Sequence, residues 1–158
     1  MKTNLVTPEG LEKLKQELDH LWRVYRPEIT KKVTWAASLG DRSENADYKE
    51  NKRILRQIDS RVRFLRKRIH ELKVVHYSPQ QEGKVYFGAW VKVEDEAGNT
   101  LSFRIVGPDE IYGRKDYISI DSPMARSLLG KQVDDEALVK TPENHKLWFI
   151  NSIRYHEN

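Results

Sequence analysis

Leu55, Ile58, Val62, Leu65, Ile69 and Leu72 recur at alternating spacings of three and four, without a break. That spacing sets one apolar stripe along an α-helix, and a stripe so narrow needs a matching helix to cover it. The chain offers one upstream, at Leu11, Leu14, Leu18, Leu21, Tyr25, Ile29, Val33 and Ala36. Two such seams joined by a short turn bury each other only by packing antiparallel, so residues 1–77 are expected to form a coiled-coil hairpin. At about 1.5 Å per residue, helices of about 30 residues would give an arm on the order of 45 Å long. Composition agrees: 38% hydrophobic and 33% charged residues suit a fold that buries only a stripe.

The ends of these helices are also written in the sequence. Thr7-Pro8-Glu9 reads as an N-cap, a proline at the first helical position and an acid in the first turn. Pro27 falls where the first seam loses its register, which predicts a kink near residues 23–27. The second helix is expected to run to about Val75, before Tyr77-Ser78-Pro79.

After Pro79 the period changes to two. Residues 90–94 and 101–106 alternate around Ala97-Gly98-Asn99, the pattern of a β-hairpin. Residues 117–120, 137–139 and 147–153 add strands, and Ser122-Pro123 opens a short helix that Gly130 ends. Residues 78–158 therefore read as a small α+β domain.

Between the two seams lies Leu39-Gly40-Asp41-Arg42-Ser43-Glu44-Asn45-Ala46-Asp47-Tyr48. If the second helix starts near Arg42 or Ser43, Asp41, Glu44 and Asp47 project toward its beginning. Two readings stand side by side. Asp41 and Glu44 have the spacing of a capping box, and acids are favoured at helix N-termini. They also make a partial site for magnesium, which is commonly held by one or two carboxylates plus oxygens from a partner.

The second helix carries Lys49, Lys52, Arg53, Arg56, Arg63 and Lys67 within about 60° of one direction, opposite the seam. No acid interrupts that stripe between Lys49 and Lys67, and unrelieved like charges point to contact with nucleic-acid phosphates. The formal net charge of +4 fits such a partner. There are no cysteines, which removes disulfides and thiolate chemistry. The five histidines have no metal-ligand spacing, and no histidine neighbours Ser43 or Ser122 to suggest a nucleophilic triad. The first residues lack the apolar core of a secretory leader, and no run approaches the roughly 18 apolar residues of a membrane span. A cytoplasmic protein with no membrane association is expected.

The tip segment closely resembles that of the bacterial Gre transcript cleavage factors. Ser119-Ile120-Asp121-Ser122-Pro123-Met124-Ala125-Arg126-Ser127-Leu128-Leu129-Gly130 resembles their C-terminal signature. Arg26-Pro27, residues 34–40 and residues 77–83 match as well, and the likeness favours the GreB branch. The resemblance implies an FKBP-like C-terminal domain, which we expect to carry an antiparallel sheet. It implies a monomer whose coiled coil enters the secondary channel of a backtracked bacterial RNA polymerase. There the polymerase's own site would hydrolyse the nascent RNA near its 3′ end. Asp41 and Glu44 would help hold a magnesium ion shared with the polymerase, this chain binding no cofactor tightly by itself. Asn45 and Asp47 would support the tip, the basic patch would hold RNA, and Asp121, Ser122 and Pro123 would dock on the channel rim. Such a chain is an accessory factor rather than an enzyme. A regulator of initiation that enters the same channel without promoting cleavage is the alternative.

Overall fold

The computed structural model describes residues 3–40 and 45–156. Its elements, in order, are β1 (Leu5–Val6), α1 (Pro8–His20), a π-helical turn (Leu21–Tyr25), α2 (Arg26–Ala37) and α3 (Ala46–Glu71), followed by β2 (Lys73–Val74) and a 3-10 turn (Pro79–Gln81). The remainder is β3 (Trp90–Asp95), β4 (Thr100–Val106), β5 (Tyr117–Ser119), α4 (Pro123–Leu128), β6 (Glu136–Lys140) and β7 (His145–Arg154). The protein is α+β. It divides into two compact units, residues 11–72 and residues 1–10 with 73–158.

In the first unit α2 packs against α3. Ile29, Ile58 and Val62 are buried, with Leu18, Leu21, Tyr25, Val33, Ile54 and Leu55 around them. Paired residues run in opposite directions: Glu17 meets Arg61, Arg26 meets Asp59, and Ala36 meets Asn45. The hairpin is therefore antiparallel. The expected kink takes the form of a π turn, in which the Arg26 N–H bonds to the Leu21 carbonyl. Pro27, in the first turn of α2, has no N–H to offer and would crowd the preceding turn. A single wider turn absorbs both faults and resets the seam.

Two helix ends differ from expectation. α3 starts at Ala46 with Asn45 as its cap, later than Arg42 or Ser43, and Asn45 Oδ1 accepts from the Tyr48 N–H at 3.0 Å. The cap of α3 is thus Asn45 rather than Asp41. α3 also stops at Glu71, because Leu72 is extended and Lys73–Val74 pairs in parallel with Leu5–Val6. That pairing moves the unit boundary. The expected division into 1–77 and 78–158 gives way to a unit in which residues 1–10 belong with 73–158.

The second unit is a five-stranded sheet in the order β5-β4-β3-β7-β6. The sheet is mixed, not antiparallel throughout: β5 runs parallel to β4, with Arg104 beside Tyr117 and Ile105 beside Ile118. The connection over residues 107–116 returns the chain to the other end of β4, as a parallel pair requires. Val91, Val93, Phe103, Ile105, Val139, Trp148 and Ile150 form the core on one face, sealed by Ala125 and Leu128 of α4.

Two carboxylates fasten residues 1–10 to this body. Glu110 accepts from the backbone N–H groups of Thr7 at 3.0 Å and Gly107 at 2.8 Å, and from the Thr7 hydroxyl. Asp121 accepts from the Thr3 N–H at 2.9 Å and from its hydroxyl. The Thr7 hydroxyl also caps α1, accepting from the Gly10 N–H at 3.0 Å.

Candidate functional site

Asp41 and Glu44 lie outside the described residues. Two carboxylates supply the hard oxygens that magnesium takes, and too few of them to hold it alone. Among the described residues, no three His, Asp or Glu side chains converge in a way that could hold a metal ion.

α2 ends at Ala37, with Ser38 as C-cap, and Gly40 takes a φ of 116° that only glycine adopts without strain. Asn45 spans the hairpin: besides capping α3, its Nδ2 donates to the Ala36 carbonyl at 2.7 Å. One side chain therefore starts α3 and ties it to the last turn of α2. Asp47 is exposed in the first turn of α3, where a negative charge suits the helix N-terminus, and its carbonyl accepts from Asn51 Nδ2. Trp35 and Leu39, one turn apart on this side of the hairpin, are 61% and 59% exposed.

The basic stripe is present on α3 but is not uniform. Lys49, Arg56, Arg63 and Lys67 are exposed and form no ion pair among the described residues. Lys52 is half-buried, with its ammonium 6.0 Å from the centre of the Tyr48 ring. Arg53 is engaged by Glu50, whose two oxygens accept from its guanidinium; that hydrogen bonding holds the Glu50 carboxyl below its ordinary value. Glu50 lies on the flank of the stripe, and a flexible pair three residues apart reaches across it. Periodicity also passed over the cations beside the seam. Arg66 and Arg26 stack over the Trp22 ring at 4.6 and 5.3 Å, and Arg61 pairs with Glu17. The signal was available in two arginines of α3, Arg66 opposite Trp22 of the π turn and Arg61 opposite Glu17 of α1.

Asp121, Ser122 and Pro123 open α4. Ser122 Oγ accepts from the Ala125 N–H at 3.2 Å, and Pro123 is exposed at the start of the helix. Asp121 is half-buried and committed to Thr3. Burial pushes its carboxyl up, but the Thr3 hydrogen bonds and the charge of Arg126 outweigh this and hold it below the ordinary value. Of the three, Pro123 presents the most open surface.

Residues 4–74 match the family model described as "Transcription elongation factor, N-terminal", and residues 80–155 match "Transcription elongation factor, GreA/GreB, C-term". The chain belongs to the Gre family of transcription elongation factors. Its relatives place it in the GreB branch. The transcription elongation factor GreB of Vibrio cholerae serotype O1 is 72% identical over 156 residues, which cover 98% of this chain and 97% of that one. The GreB of Pseudomonas putida is 68% identical over 155 residues, covering 98% and 96%. A solved structure of the transcription factor Gfh1 covers 97% of this chain and 99% of its own at 25% identity, with a TM-score of 0.46, and adds nothing to the assignment. No described helix is long and apolar enough to cross a membrane.

Proposed function

We propose that this Gre-family factor rescues backtracked RNA polymerase by inserting its helical hairpin into the secondary channel and stimulating cleavage of the nascent RNA near its 3′ end. The observation that carries the reading is the closure of the hairpin by Asn45, which brackets the acid-bearing segment between two helices tied within one turn of each other. Asp41 and Glu44 would then be presented to the polymerase together. A magnesium ion bound there, shared with the polymerase, would activate the attacking water or steady the leaving oxygen. Asp41 and Glu44 hold and orient; Lys49, Arg56, Arg63 and Lys67 neutralise the phosphates of displaced RNA; Lys52 and Arg53 lend charge once freed from Tyr48 and Glu50. Asn45 keeps the tip closed, and Asp47 supports the start of α3. Pro123 meets the channel rim, while Asp121 and Ser122 hold that loop in shape. In this reading the chain is a monomeric accessory that completes a site on its partner, and it acts in the cytoplasm where that partner works.

The test uses a stalled, backtracked cognate polymerase with magnesium and the full chain. Short 3′ RNA fragments should appear faster with the protein than without it. Asp41→Ala or Glu44→Ala should reduce that stimulation by about 10²–10⁴-fold while polymerase binding survives. Loss of binding with either variant would make the acids structural and sink this assignment.

A further inference from the structure

The face of the sheet turned away from the core carries a second cationic feature, unrelated to the hairpin. Val91, Val93, Phe103 and Ile105 point into the core, so their neighbours Trp90, Lys92, Ser102 and Arg104 lie on the opposite face. Strand register lines up four residues there in one row: Tyr117 of β5 beside Arg104 of β4, Arg104 beside Trp90 of β3, and Trp90 beside Arg154 of β7. Aromatic and guanidinium groups alternate along it. Arg104 lies 5.8 Å from the Trp90 ring and 5.9 Å from the Tyr117 ring, and Arg154 lies 5.1 Å from Trp90. The stacked guanidiniums cover Trp90, which is only 8% exposed although it points away from the core. This face is therefore no platform for stacking bases.

The two arginines are not equivalent. Arg104 is spoken for, because its Nε donates to the Gly88 carbonyl at 3.0 Å and its side chain is 13% exposed. Arg154 is exposed, and among the described residues its guanidinium makes no hydrogen bond or ion pair. A guanidinium resting over an indole is partly ordered in advance, which lowers the cost of gripping an oxyanion with its remaining N–H groups. The next row supplies three more donors: Lys92 sits between Ser102 and Ser152, directly opposite both. All three are exposed, and their side chains too lack a partner among the described residues. Lys92, Ser102, Ser152 and Arg154 line a depression of about 120 Å³ beside Trp90.

We infer that this depression binds a phosphate group. A carboxylate is satisfied by one planar fork, whereas a guanidinium, an ammonium and two hydroxyls arriving from three strands match an anion with oxygens on several sides. The phosphate comes either from a free polyphosphate or nucleotide, or from a nucleic-acid backbone running over the sheet. The site shares no residue with the tip, the α3 stripe or the Asp121 loop, so it stands or falls independently of the cleavage reading.

The experiment titrates the full-length ¹⁵N-labelled protein with pyrophosphate, with a short single-stranded oligoribonucleotide and with a glutamate-rich peptide, each at matched ionic strength. Pyrophosphate should shift the amide signals of Lys92, Ser102, Ser152 and Arg154. Movement with the oligonucleotide as well assigns the phosphate to a nucleic-acid backbone; movement with pyrophosphate alone assigns it to a free ligand. Lys92→Gln, whose side chain is exposed and supports no packing, should weaken pyrophosphate binding by about tenfold. Arg154→Lys, which keeps the charge but not the fork, should weaken it as well. Unmoved signals, unchanged binding in both variants, or a response to the peptide but not to pyrophosphate would each overturn the inference. Stimulated RNA cleavage should be unaffected in Lys92→Gln, which separates this site from the hairpin.

Discussion

Asp95 is a buried charge, and its surroundings explain why burial is tolerated. Its carboxylate accepts from the Ala97 and Asn99 N–H groups at 3.0 and 2.8 Å, from Asn99 Nδ2 at 3.1 Å, and from Lys146 Nζ at 2.9 Å. The turn between β3 and β4 is wrapped around it, and Lys146 reaches it from β7. Lys146 is the largest influence; with the Asn99 hydrogen bonds it outweighs desolvation and brings the Asp95 carboxyl from an ordinary 3.8 down to about 2. A carboxyl whose folded value lies below its unfolded one stabilises the fold fully above the unfolded value. That stability is lost as the pH falls toward and through about 2. Asp95→Asn should therefore lower stability at neutral pH and flatten the acid limb between about pH 4 and 2. Urea midpoints across that range check it; an acid limb as steep as in the parent would show that Asp95 does not report this linkage.

At the scale of elements, β1 depends on close backbone approach. Gly107 follows β4, and a Cβ placed there would fall 2.0 Å from the Leu5 carbonyl oxygen, a backbone atom that cannot swing aside. Gly107→Ala should cost about 1–3 kcal/mol by forcing β1 off its seat, and chemical denaturation would measure it. The same element shows where sequence reading reaches its limit. The seam from Leu55 to Leu72 and the alternation in β3 and β4 were legible because each repeats enough to define a period. β1 and β2 are two residues each, too short for any period, and Val74 looked like a continuation of the helix. The parallel placement of β5 depends on where a ten-residue connection returns, which no local pattern encodes. The candidate site was legible unevenly. The stripe of α3 followed from angular spacing, but the cap did not, because Asp41, Ser43, Asn45 and Asp47 are all competent caps. Asn45 takes the role where its Nδ2 can also reach Ala36.

The largest consequence for the whole molecule is that one unit is discontinuous in sequence. Residues 1–10 lie with 73–158, and the chain passes through the whole hairpin before returning. β1 is held by the Lys73 N–H to the Asn4 carbonyl at 2.7 Å and the Val75 N–H to the Val6 carbonyl at 2.9 Å. Val6 is fully buried, and Glu110 and Asp121 spend their carboxylates on Thr7 and Thr3. A fragment cut at the sequence boundary, residues 78–158, would lose β1 and β2 and leave both carboxylates without these partners. Hydrogen bonds to charged groups contribute about 1.5–3 kcal/mol each when shielded; Thr7 and Thr3 give four of them, and solvent screening of the two partly exposed carboxylates leaves each below that range. The loss should be about 3 kcal/mol in all, enough to lower the melting temperature by more than about 10 °C in a domain this small. A fragment of 73–158 mixed with a peptide of residues 1–10 should recover part of the difference, in proportion to peptide concentration. Calorimetry on the two fragments, with and without peptide, tests this. A fragment of 78–158 that melts with the same midpoint as 73–158 bound to the peptide would mean that the N-terminal segment is a passive tether, and that the hairpin begins where the helical periodicity alone would place it.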